Sequence, residues 1–169
     1  MRRLYLLRHA KSSWDDPALA DSERPLAPRG RRASKLIARH FRSERIRPEL
    51  VLCSPARRAR ETLERIAGAL GDDAEIRIDS ELYGASSSDL LARIRALPEG
   101  IGSAMLIGHN PGIQDLAVSL AGEGPGTERM RPKFPTAALA TLELDGRWRD
   151  LGSGRASLVA FVKPRELES

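Results

Sequence analysis

A three-layer α/β/α domain with a mostly parallel central sheet is predicted from two features of the sequence. Short apolar runs alternate with helical patterns along most of the chain. Three of those runs also end abruptly in polar residues, as strands do when a helix follows.

The first strand is expected over Leu4–Leu7. Residues 28–43 have a helical period, with Ala33, Leu36, Ile37 and Phe41 on one face. Leu50–Cys53 is the second strand. A helix over 55–70 follows, with Ser54 as its N-cap, Pro55 at its first position and Gly71 at its end. Glu75–Ile78 alternates like a short strand, and Ser88–Leu97 is a helix stopped by Pro98. Ala104–Ile107 is a strand leading through Gly108-His109-Asn110-Pro111 into a helix that runs to about Ala121. The Gly- and Pro-rich residues 122–135 are expected to be a loop. Two late strands, Ala138–Leu144 and Ser157–Val162, are joined by a turn near Asp145-Gly146. One domain over residues 1–163 is expected, with 164–169 as a frayed tail.

Length and composition suit a soluble protein. A chain of 169 residues can bury one sizeable core. Aromatic residues are only 4%, so that core must be Leu, Ile, Val and Ala. Lys and Arg number 28 against 23 Asp and Glu, a formal net charge of +5. The arginines are spread among acids, with no polybasic block and no aromatic stacking platform. Small or phosphorylated anionic partners are therefore favoured over nucleic acid. The single Cys53 allows no intrachain disulfide. Leu4–Leu7 is too short for a signal peptide, and no apolar run nears the ~20 residues of a membrane helix. A cytoplasmic monomer that binds no membrane is expected.

The polar strand ends carry the chemistry. They read Arg8-His9-Ala10-Lys11-Ser12, then Ser54-Pro55-Ala56-Arg57-Arg58, then Gly108-His109-Asn110-Pro111. Ligands of open parallel sheets bind outside the carboxyl ends of the strands. If these strands are neighbours, Arg8, His9, Arg57 or Arg58, and His109 converge beside two helix N-termini, which favour anions. Arginine grips phosphate through a planar fork and stabilises charge on a transferring phosphoryl group. A neutral imidazole nitrogen can act as nucleophile, and nearby guanidiniums keep it neutral. Its other nitrogen needs a partner, most simply a backbone carbonyl.

These three motifs, in this order, resemble those of the histidine phosphatase superfamily. The family pattern is Arg-His-Gly after the first strand, then Ser-Pro-x-x-Arg-Ala-x-x-Thr, then a late strand ending in His. Here they read Arg8-His9-Ala10, Ser54-Pro55-Ala56-Arg57-Arg58-Ala59-Arg60-Glu61-Thr62 and Gly108-His109. The short chain, with Glu23-Arg24-Pro25-Leu26 and Arg29-Gly30, is most similar to the SixA-type phosphohistidine phosphatases. The resemblance covers residues 4 to about 144 and implies a phosphoglycerate-mutase-like fold. It implies that His9 is the nucleophile and becomes phosphorylated, that Arg8 and Arg58 bind the phosphoryl group, and that His109 contacts it from the other side. Register with the motif selects Arg58 and leaves Arg57 on the rim. Ser12 and Asn110 are implied as further substrate contacts. Ala10 stands where the family has glycine, so the loop there must accept a Cβ.

Larger members carry an acid for the leaving group. Glu81 is a candidate by its place in the chain, and Asp15 a further one. The expected activity is a metal-independent phosphatase without cofactor, acting on protein phosphohistidine. A small-molecule phosphomonoesterase and a non-catalytic phosphate-binding module are the alternatives.

Other readings of these residues are weaker. No His-Glu-x-x-His or Cys-x-x-Cys is present, and arginine beside the histidines would repel a cation, so no metal site is expected. Cys53 lacks the glycines and arginine of a cysteine phosphatase loop and is expected to be an inert core residue. Arg60 is expected on a solvated helix face, and His40 at the surface. Arg29, Arg31 and Arg32 at a helix start either are tolerated by the surface or help attract an anionic partner, and tolerance is the favoured reading. Arg24 is a candidate for the pocket rim, Trp14 for its mouth, and Trp148 for packing.

Overall fold

The computed structural model describes residues 1–168. Its centre is a six-stranded sheet with β1 at Arg2–Arg8, β2 at Leu50–Cys53, β3 at Glu75–Ile78, β4 at Ser103–Gly108, β5 at Leu139–Leu144 and β6 at Ser157–Val162. The spatial order is β3-β2-β4-β1-β5-β6. The first four in that order are mutually parallel, and β5 pairs antiparallel with both β1 and β6. The helices are α1 at Pro28–Ser43, α2 at Arg57–Ile66, α3 at Ser87–Arg95, α4 at Gly112–Ala121 and α5 at Pro125–Met130.

Strand side chains alternate between faces, so each central strand feeds two cores. Tyr5 and Leu7 of β1 join Val51, Cys53, Met105 and Ile107 beneath Ile37 and Phe41 of α1 and Leu63 and Ile66 of α2. Leu4 and Leu6 join Leu50, Leu52 and Leu106 beneath Leu90 and Ile94 of α3 and Ile113, Leu116 and Leu120 of α4. Each leucine fully withdrawn from water contributes roughly 1.5–3 kcal/mol. Burial on both faces explains why these strands are continuous apolar runs rather than alternating ones. β3 sits at the sheet edge, and its Ile76 and Ile78 remain exposed. The layered α/β/α architecture agrees with the sequence reading. Among the described residues no helix is long and apolar enough to cross a membrane.

Several local expectations are corrected. α2 begins at Arg57, not Pro55, and its N-cap position is Ala56. Ser54 instead accepts a hydrogen bond from the Ala56 N–H and turns its hydroxyl to the sheet edge. The helix tightens into a 3-10 turn at Ala67–Ala69, and Gly71 follows in the left-handed region at φ 88°. The presumed loop 122–135 contains α5, which forms because Thr127 and Met130 are buried. The β5–β6 connection is no tight turn: it carries a 3-10 turn at Trp148–Asp150, where buried Trp148 donates its indole N–H to the Ile101 carbonyl. Residues Pro164–Leu167, expected to fray, form another 3-10 turn, and Leu167 packs against the core on the α1 side.

Candidate active site

The strand order places β2, β4 and β1 side by side, so their carboxyl ends share one edge. Leu7 and Cys53 both pair with Ile107. The ladder runs one step further, with the His9 N–H on the Gly108 carbonyl and the Ser54 N–H on the Ile107 carbonyl. His9, Ser54 and His109 therefore leave the sheet together. The two imidazole centroids lie 5.0 Å apart with planes tilted by 53°.

His9 is 7% exposed. Its Nδ1 lies 2.7 Å from the carbonyl oxygen of Ala10, which can only accept, so Nδ1 carries the proton and Nε2 is bare. Burial, aided by His109, Arg58 and Arg8, brings its pKa down to about 3. The ring is neutral across the physiological range.

His109 Nε2 lies 2.6 Å from Ser54 Oγ. That oxygen already accepts from the Ala56 N–H. The arrangement that uses the Ser54 hydroxyl as both acceptor and donor has it donating to Nε2, which leaves the proton on Nδ1. Nδ1 is buried and has no partner among the described residues. Burial first, then Arg58 and Arg8, lowers the His109 pKa to about 4 against the opposing pull of Asp21.

Arg8 and Arg58 flank the imidazoles. Arg8 donates from Nη1 to the Phe134 carbonyl at 2.9 Å, and its buried Nε has no partner among the described residues. Burial, with Arg58 nearby, lowers the Arg8 pKa. Arg58 is 8% exposed and is held by Asp21: Nη1 donates to the Asp21 carbonyl at 2.8 Å and Nη2 to its carboxylate at 3.0 Å. Tyr83 donates its hydroxyl to the same carboxylate oxygen at 2.6 Å and sets its ring edge-on to His109, 5.6 Å between centroids. Tyr83 and Arg58 hold the Asp21 carboxyl down at about 2, so it is ionised.

Motif residues that touch none of this chemistry shape it. Thr62 donates to the Arg58 carbonyl one turn back and accepts the Ala10 N–H at 3.0 Å, fixing the backbone beside His9. Ala10 packs with Leu26 and Ala137, so its Cβ fills space that a glycine would leave empty. Glu61 accepts the Leu26 N–H through one oxygen and pairs with Arg57 through the other. Gly30 lets α1 lie directly on the Lys11 backbone: a Cβ there would stand 2.1 Å from the Lys11 oxygen.

The residues expected from sequence are thus partly gathered. Arg8, His9, Arg58 and His109 converge. Arg57 is drawn outward by Glu61. Ser12 is buried with its hydroxyl accepting from Arg24 Nη2. Asn110 spends both amide hydrogens, on Gln114 and on the Phe134 carbonyl that also receives Arg8, so it holds the site's wall and has no donor left for a substrate. Glu81 is exposed, and its carboxylate has no partner among the described residues. Asp15 is likewise exposed.

Arg24, a rim candidate, is buried instead. It binds Ser12, the Ser13 carbonyl and Asp21, and its guanidinium carbon lies 3.2 Å from the ring centroid of Trp14, which is 70% exposed. Burial pushes the Cys53 thiol up to about 12, leaving it unreactive. Asp21, Tyr83 and Ser54's bond to His109 were not foreseen. The signal for Asp21 was its distance of three residues from Arg24, but nothing local indicates that it crosses to Arg58.

Residues 4–90 match the family model of the histidine phosphatase superfamily, branch 1. An uncharacterized protein of Mycobacterium tuberculosis is 38% identical over 163 residues, covering 94% of this chain and all of that one. The phosphohistidine phosphatase SixA of Escherichia coli is 33% identical over 146 residues, covering 85% of this chain and 86% of SixA. The solved structure of the protein histidine phosphatase SixA complexed with tungstate superposes with a TM-score of 0.80 at 30% identity, covering 98% of this chain and 99% of that one. With its three motifs meeting at one sheet edge, the chain belongs to the histidine phosphatase superfamily.

Proposed function

We propose that this protein is a metal-independent phosphatase of protein phosphohistidine, with His9 as its nucleophile. The observation that carries the reading is the His9 tautomer: Nδ1–H is tied to the Ala10 carbonyl, so the bare Nε2 faces a site shared with His109 and two guanidiniums.

In the first step Nε2 attacks phosphorus. A new N–P bond forms, the substrate's P–N bond breaks, and the departing imidazole takes a proton. In the second step water attacks the phosphorus on His9. That N–P bond breaks, phosphate leaves, and Nε2 is bare again. Arg8 and Arg58 stabilise the charge on the equatorial oxygens in both steps. His109 donates to the same group through Nδ1–H.

The substrate preference rests on Asp21. It is the carboxylate held against Arg58, and it stays ionised, so it supplies no proton at neutral pH. An alkoxide leaving group needs such a proton, whereas an imidazole leaves readily once protonated by solvent. The metal-free reading is supported by the charges at the site, where guanidiniums beside the two neutral imidazoles disfavour a bound cation.

The test is hydrolysis of a phosphohistidine peptide and of para-nitrophenyl phosphate in chelator, by wild type and His9→Ala. Phosphate release from the peptide, abolished in His9→Ala, is expected. Turnover by His9→Ala would remove the nucleophile assignment, and loss of activity in chelator would remove the metal-free one. A strong preference for the phenolic ester would make the protein a phosphomonoesterase.

A further inference from the structure

A second feature lies beside the proposed site. A groove of about 370 Å³ runs between the start of α1, residues 133–136 and the chain's last turn. Among the described residues it is lined by the cations Lys11, Arg29, Arg32, Lys133, Lys163 and Arg165 and by one side-chain carboxylate, Glu168. Six cations against one anion equal the +5 surplus of the whole chain, so elsewhere the charges balance. Among the described residues none of the six groove cations forms an ion pair, as is also true of surface arginines such as Arg39, Arg47 and Arg60; what sets the groove apart is that six such cations share one wall.

The groove opens on the same sheet edge as the imidazoles. Leu7 pairs with Leu139, and Leu139 with Val162, so Lys163 leaves β6 level with Arg8 and His9. Lys11 lies two residues beyond His9. The segment 133–136 forms a common wall: its Phe134 carbonyl receives Arg8 and Asn110, while Lys133, Pro135 and Thr136 face the groove.

We propose that this groove docks an acidic segment of the phosphoprotein substrate, flanking the residue that enters the site. The proposal rests on the phosphatase reading above. Unpaired cations at the surface attract carboxylates without first breaking internal ion pairs, and they speed encounter through long-range attraction. Leu36 and Pro135 add apolar surface between the charges, which suits a polypeptide. No aromatic side chain lines the groove on which a nucleic-acid base could stack.

The experiment compares a phosphohistidine peptide flanked by glutamates with its glutamine counterpart, using wild type and the triple variant Arg29→Gln/Arg32→Gln/Lys163→Gln. All three positions lie outside the catalytic machinery. Wild type should favour the glutamate peptide through KM. The triple variant should raise that KM about tenfold, as for loss of a few exposed charge contacts, and the preference should fade near about 0.5 M salt. Its kcat and its hydrolysis of para-nitrophenyl phosphate should not change. Equal KM values for both peptides in wild type, or an equal loss on both in the variant, would overturn the proposal.

Fluorescence anisotropy with the unphosphorylated glutamate peptide reads docking without turnover. If neither protein hydrolyses any phosphorylated substrate, the phosphatase reading fails. Docking then stands only if binding weakens in the triple variant, and falls if it does not. A single-stranded oligonucleotide binding as tightly through the same residues would also overturn the assignment.

Discussion

Arg58 is oriented by Asp21 through two atoms at once, the main-chain carbonyl at 2.8 Å and the carboxylate at 3.0 Å. On the proposed reading, the same carboxylate that aims the guanidinium would compete with a phosphoryl oxygen for it.

Asp21→Asn should therefore separate aim from competition. Removing the charge should tighten competitive inhibition by inorganic phosphate several-fold, the scale of one partly exposed ion pair. It should also lower kcat, because Arg58 loses its strongest tether. Inhibition constants and kcat measured on one substrate check both. An unchanged phosphate constant would show that Asp21 does not oppose anion binding.

Stability should fall as the solution is acidified. His9 and His109 have folded pKa values of about 3 and about 4, below the ordinary 6.5 of the unfolded chain. Between those values the unfolded state binds more protons, so stability is complete above pH 6.5 and declines toward pH 3. Each histidine contributes up to about 1.4 kcal/mol per pH unit in that window. Urea unfolding of His9→Asn should show a slope shallower by about that amount. An identical slope would mean that His9 is not buried as a neutral ring.

Thr62→Val should impair both folding and activity. The substitution keeps the shape but strands the buried Ala10 N–H, a loss of about 1–3 kcal/mol. The backbone beside His9 then loses its tether, and kcat should fall at least about tenfold, since small misplacements of a reacting group are costly. Thermal unfolding with steady-state kinetics checks the pairing of the two effects.

Gly30→Ala sets two effects against each other. Alanine favours a helix interior by about 1 kcal/mol. Its Cβ, however, would meet the Lys11 carbonyl at 2.1 Å, and overpacking of this kind costs about 1–3 kcal/mol. The clash is with backbone, which cannot rotate away, so net destabilisation is expected in denaturant titration. A stabilised variant would show that α1 can move off the Lys11 backbone.

Sequence alone conveyed the two-faced sheet because Leu4–Leu7, Leu50–Cys53 and Ala104–Ile107 are buried on both sides and read as plain apolar runs. It also indicated where Arg8, His9, Arg58 and His109 sit, since each ends a strand or opens a helix in a recognisable motif, and the fold brings them to one sheet edge. What it could not convey were partnerships between distant segments. Ser54 had every local attribute of an N-cap, yet its hydroxyl serves His109, 55 positions away. Asp21 sits in a short 3-10 turn with no periodicity, and its link to Arg58 exists only because that turn folds over α2. Asn110 looked like a ligand because it follows His109, but its amide is consumed by Gln114 and Phe134. α5 was hidden by the glycines and prolines around it.

The Phe134 carbonyl that steadies Arg8 comes from 126 positions downstream. A ribosome-bound chain that has emerged only through α4 already holds both imidazoles but not this brace. Such a nascent polypeptide should be inert toward phosphorylated substrates until the segment leading into β5 has been translated and docked, so catalytic competence arrives late in synthesis.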